Sequence, residues 1–146
     1  MKSNDSPLSS SILKAWSTNN RTMIFLVQHL PAKLWEVAIP GMPRRTIRML
    51  AGHIHNARCM WIKTLGSPHG IPVPASVDRR QVSRAELVRA LKQSGRGIAG
   101  LLTLGLEHGG QFRRRRPMPG AICPSMSGMC WLISLLTRAI IEARSY

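Results

Sequence analysis

The chain has 146 residues, 44% of them hydrophobic, which suits one domain around one core, and no apolar run approaches the roughly 18 residues needed to cross a bilayer. Twenty-one Lys and Arg against six Asp and Glu give a net charge of +15, a balance that attracts nucleic acid or anionic membranes. The charge is dispersed apart from Arg113–Arg116, and Trp16, Trp35 and Trp61 do not alternate with basic residues as a base-stacking platform requires, so a solvated Arg-rich surface is favoured over a nucleic-acid or membrane site.

Residues 1–7 read as a loose N-terminus. Ser9 or Ser10 can cap a first helix whose apolar positions are Ile12, Leu13, Trp16, Met23, Ile24, Val27 and Leu30, with Pro31 as the stop. A loop rich in Pro and Gly follows. The next stretch, Arg44 to Gly66, reads as one amphipathic helix. Its expected core stripe is Ile47, Leu50, Ile54, Ala57 and Trp61. Residues 67–82 form a long irregular connection. Ser83-Arg84-Ala85-Glu86 is a capping box that opens a third helix carrying Leu87, Val88, Leu91, Ile98, Leu101, Leu102 and Leu106. Its glycines weaken the helix locally but allow close contact with a neighbour. Gly109-Gly110 ends it, and a second long connection covers 109–124. Met129–Ile141 is apolar almost all round and reads as a fourth, buried helix. No run has strand periodicity. The expectation is an all-α, four-helix-bundle domain spanning residues 1–146.

The chemistry-bearing residues are sparse. Cys59, Cys123 and Cys130 form no CxxC pair, so neither a disulfide framework nor a zinc knuckle is indicated. The polar start MKSNDSPLSSS lacks the apolar stretch of a secretory signal, and the expectation is a reducing cytoplasm. His53 borders the apolar stripe of the second helix, where an imidazole is either a packed, hydrogen-bonded residue or a metal ligand. His55, two residues on, is expected to point away. His29 and His108 lie near helix ends and His69 in a loop. Cys59 reads as a small packed residue and not as a nucleophile. No Ser/His/Asp set, phosphate-binding Gly loop or paired-carboxylate site can be assembled.

The segments SILKAWSTNNRTMIFLVQHLP, PGMPRRTIRMLAGHIHNARCMWIKTLG, SRAELVRALKQS and LEHGG together resemble the DinB-like (YfiT-like) family over about residues 12 to 111. The resemblance implies a four-helix bundle, often dimeric, in which three histidines hold a divalent metal such as zinc, nickel or iron. By the family pattern His53 is the second-helix ligand. The other two come from a fourth-helix motif like HxxxHRGQI. Members are implicated as metal-dependent transferases or hydrolases, several acting with low-molecular-weight thiols. Two histidines four apart share one helix face, and a third from a facing helix leaves an open position where water or a thiolate is activated.

The segment SGMCWLISLLTRAIIEARSY has no histidine, so one ligand of three is present. Back-translated and read two bases later, PSMSGMCWLISLLTRAIIEARSY can spell VDVGHVLAYFTAHARHHRGQIL, which contains the missing motif at the right spacing. The expectation is a frameshift near Gln111 to Pro119, with Arg113–Arg116 an out-of-frame product. The functional expectation is a family fold with an incomplete metal site and little or no catalysis. The competing reading is a basic nucleic-acid-binding module using Arg44, Arg45, Arg48, Arg58 and Arg113–Arg116.

Overall fold

The structure, a computed structural model, describes residues 7–108. The start at residues 1–6, the Gly109–Gly110 stop, the Arg113–Arg116 run, the second long connection and the helix expected over Met129–Ile141 lie outside the described residues.

Helix α1 covers Pro7–His29. Pro7, expected in a loose end, is its first residue, a position where the missing N–H of proline costs nothing. The serines expected to cap it lie inside it, and the Ser11 hydroxyl donates to the Pro7 carbonyl at 2.8 Å. The helix stops two residues before Pro31, as expected. Its apolar positions meet the other helices, with Val27 buried and Trp16, Met23, Ile24 and Leu30 half-buried.

The Pro- and Gly-rich stretch is more ordered than its composition suggests. Strands β1 (Ala38–Ile39) and β2 (Met42–Thr46) pair antiparallel, Ala38 with Thr46 and Ile39 with Met42. Pro40 and Gly41 make the turn, and Gly41 takes the positive φ of 75° that such a turn needs. Most of the hairpin is exposed, so it carries no apolar alternation. That is why no strand was expected there.

Helix α2 covers Ile47–Trp61 and continues through a wider π-type turn, Ile62–Gly66. Its C-terminal limit matches expectation. Its start comes later, because Arg44 and Arg45 are spent in β2 and Thr46 is the cap, its hydroxyl accepting the Met49 amide at 3.2 Å. A short 3-10 turn, Ser67–His69, ends at Gly70 with φ of 78°. The chain then runs back along α2. Ile71 lies against Gly66, Ala75 reaches His55, Val77 meets Asn56, and Arg79 lies over Gly52. This strap returns the chain to the end where α2 began.

Helix α3, Arg84–Glu107, opens on the expected capping box. The Glu86 amide donates to the Ser83 hydroxyl at 3.2 Å and the Ser83 amide donates to the Glu86 carboxylate at 2.9 Å. The Ser83 hydroxyl, donating to the carboxylate at 2.6 Å, and then the Ser83 amide hold the Glu86 carboxyl below its ordinary range. Because the strap doubles back, α3 runs parallel to α2, with Ser94 beside His55 and Gly97 beside Ile62. Helix α1 runs antiparallel to both: Trp16 meets Gly95, and Leu13 faces Leu106 nearer the end of α3.

Two apolar layers result. One holds Val27, Trp35, Ala51, Val82, Leu87, Val88 and Leu91; the other centres on Ile62, Ile98 and Leu101, with Trp16, Trp61 and Ile71 packed against it. Between them lies a polar waist: Asn20 from α1, His55, Arg58 and Cys59 from α2, and Ser94 and Gly95 from α3. The described chain is therefore mostly helical, with one small hairpin.

At Gly95, α1 and α3 approach closely. The Trp16 indole N–H donates to the Gly95 carbonyl at 3.1 Å, and an added Cβ would collide with the Asn20 amide. Asn20 cannot withdraw without releasing Arg58. Gly95→Ala should therefore destabilise the protein by about 1–2 kcal/mol in urea unfolding, despite alanine's helix preference. At Gly100 the nearest neighbour of a Cβ, among the described residues, is Ile71 at an ordinary 3.5 Å. Gly100→Ala should instead stabilise by about 0.5–1 kcal/mol.

Candidate functional site

Two histidines two residues apart on α2 occupy opposite environments, and not in the expected order. His55, expected to point away, is fully buried at 0% exposure. His53, expected at the core stripe, is half-buried. The stripe itself is displaced. Ile47, Leu50, Ile54, Ala57 and Trp61 are half-buried, and the buried face is Ala51, Gly52, His55, Arg58 and Cys59. Small and polar residues occupy that face because the strap and α3 press close against it and bring groups that need hydrogen-bond partners.

His55 is the hub of the waist. Its Nε2 lies 2.8 Å from the Ala75 carbonyl, and its Nδ1 lies 3.1 Å from the Ser94 hydroxyl. A neutral imidazole has one donor nitrogen. The short contact to a carbonyl assigns the proton to Nε2, so Nδ1 accepts from Ser94. Burial holds the His55 pKa below the ordinary histidine value, in keeping with this neutral form. One residue on, the Asn56 amide donates to the Val77 carbonyl and its oxygen accepts the Val77 N–H, both at 2.9 Å. His55 and Asn56 thus clasp residues 75–77 to α2.

Cys59 lies one turn beyond His55, its sulfur 3.3 Å from Nε2. Burial pushes the thiol pKa up, so it stays protonated and packed, as the sequence suggested. Its partnership with His55 is an i, i+4 pair, a spacing that places both on one face of α2.

Arg58 departs furthest from expectation. Counted among the surface cations of a nucleic-acid face, it is only 8% exposed. Its Nη1 donates to the Asn20 side-chain oxygen at 2.8 Å, and its guanidinium stacks 4.9 Å from the Trp16 ring centre. Burial pushes its pKa down to about 10, which leaves it charged at neutral pH. Arg48 is tied to Glu36 at 3.0 Å. Of the four α2-region arginines assigned to phosphate contacts, Arg44 and Arg45 alone are exposed.

His53 is the family-implied metal ligand that falls within the described residues. Burial, then Arg79, then Arg45, holds its pKa below the ordinary value. The positive potential that disfavours the imidazolium also disfavours a divalent cation. Among the described residues no group of three or more His, Cys, Asp or Glu side chains could hold a metal ion. Among the described residues, the donors present therefore do not make a three-ligand metal centre around His53.

The other histidines sit where the sequence put them. His29 donates through Nδ1 to the Phe25 carbonyl at 2.9 Å, and His108 does the same to Leu104 at 2.8 Å. The structure also brings His69 to His108, with ring centres 6.3 Å apart. An open groove of about 540 Å³ lies between the start of α1 and the end of α3, with Lys14 and Glu107 on its walls. Among the described residues no helix is long and apolar enough to cross a membrane. Comparison with protein-family models, curated proteins and solved structures finds no match to this chain.

Proposed function

We propose that the chain is a DinB-like four-helix bundle that keeps the family's architecture without its complete metal centre and carries little or no catalysis. On this reading it is a cytoplasmic protein descended from a metal-dependent transferase or hydrolase. The homodimer and the low-molecular-weight thiol substrate belong to that ancestry.

The observation that carries the reading is the state of His53. It stands half-buried on α2, with Arg79 and Arg45 near enough to oppose a cation, and among the described residues it belongs to no group of three or more His, Cys, Asp or Glu side chains that could hold a metal ion. The long helices α1 and α3, the capping box at Ser83 and the position of His53 on α2 support the fold half of the reading. The back-translated tail supports the loss of the remaining ligands. Codons in the encoding DNA that spell HxxxHRGQI two bases later would establish the frameshift, and any other codons would end that part of the reading.

The direct test is zinc and nickel titration of the purified chain beside His53→Ala. The expected outcome is the same binding isotherm for both. Tight, stoichiometric binding that disappears in His53→Ala would overturn the reading and restore a working metal centre.

A further inference from the structure

His69 and His108 are far apart in sequence, and neither belongs to the metal pattern that the family resemblance implies. The parallel course of α2 and α3 brings them together. Gly66 lies against Leu101, so the turn after α2 reaches the last turn of α3. There the two imidazole rings stand 6.3 Å apart between centres, tilted by 48°, and both residues are exposed.

We infer that His69 and His108 form a two-histidine surface site for a borderline divalent cation of the zinc, nickel or copper class. Imidazole nitrogen suits these metals. With metal–nitrogen bonds of about 2.0–2.1 Å in a tetrahedral arrangement, two ligating rings have centres about 5 Å apart. The observed separation is wider by about an ångström, a gap that rotation of the exposed His69 side chain closes. His108 is already oriented. Its Nδ1–H is held by the Leu104 carbonyl at 2.8 Å, which leaves the Nε2 lone pair for the metal. A backbone carbonyl on the far nitrogen is the usual way a metal-binding histidine has its tautomer and direction set. Water completes the coordination, and the bound ion clasps the Ser67–His69 turn to the end of α3.

This site is independent of the family reading, and one set of titrations separates the two. Zinc is titrated calorimetrically into the full chain and into His53→Ala, His69→Ala, His108→Ala and the double variant Cys123→Ser/Cys130→Ser. The expected result is one zinc per chain, with affinity at least about tenfold weaker in His69→Ala and in His108→Ala and unchanged in the other two. In ¹⁵N spectra, zinc should shift His108 Nε2 while Nδ1 keeps its proton. Both histidines are exposed, so their alanine variants should keep the helical circular dichroism of the parent. Affinity unchanged in both His69→Ala and His108→Ala would overturn the site. So would binding that follows His53 or the two cysteines instead.

Discussion

Replacing His55 by alanine should lower the unfolding free energy by about 3 kcal/mol, whereas His53→Ala should cost less than about 1 kcal/mol. The larger figure has three sources. The Ala75 carbonyl loses its 2.8 Å donor, the buried Ser94 hydroxyl keeps only a long 3.4 Å bond to the Leu91 carbonyl, and a space opens at a fully buried position between α2, α3 and the strap. Urea unfolding of the two variants side by side is the measurement, and equal losses would refute the hub role. The pH dependence has a definite sign. The folded-state pKa of His55 lies below the ordinary value, so between that pKa and about 6.5 the unfolded chain binds the proton first. Stability is complete above about 6.5 and falls as the pH drops toward the folded pKa. His53, shifted the same way, adds to the fall. His55→Ala should show a shallower loss with acid, so its deficit relative to the parent should shrink below pH 6.5.

Arg58→Ala should cost about 3 kcal/mol, and Arg58→Met at least about 1 kcal/mol less. Alanine strips the packing from the Trp16 ring and leaves the Asn20 oxygen without its donor. Methionine restores most of the buried volume and removes the cost of keeping a cation out of water, although Asn20 still loses its bond. Thermal and urea unfolding of the pair would decide. A methionine variant as damaged as the alanine variant would mean that the charge itself, and not the volume, holds α1 against α2. Neither substitution should change how steeply salt weakens any nucleic-acid attraction, because Arg58 is turned inward.

Much of the fold was legible because local signals are strong where the chain changes course. Pro31 ends α1, Ser83 and Glu86 open α3, and the turn residues after Gly66 close the second helical stretch. Each acts through its own backbone geometry or a bond to a residue three or four away, so no tertiary information is needed. The apolar positions of α3 were equally clear, since Leu87, Leu91, Ile98 and Leu101 recur at helical spacing and all are buried. The β1–β2 hairpin was hidden because its exposed strands bury no apolar face. The start of α2 was hidden because Arg44 and Arg45 suit a helix as well as a strand.

The sequence by itself determined the helical class, the stop of α1 before Pro31 and the opening of α3 at Ser83. Only the tertiary structure decided which face of α2 is inside. Hydrophobic periodicity ranks side chains by apolarity, and on α2 it selects Leu50, Ile54 and Trp61. Burial is set by what packs against the helix. Here that is a strap whose Ala75 and Val77 backbone groups need partners, and an α3 that comes close at Gly95 and Gly97. Small residues and hydrogen-bonding ones meet those demands, so His55, Asn56 and Cys59 serve the interface and Arg58 is carried in beside Trp16. The meeting of His69 with His108 has the same origin. It follows from the parallel course of two helices joined by a strap that doubles back, which no local pattern in the sequence records.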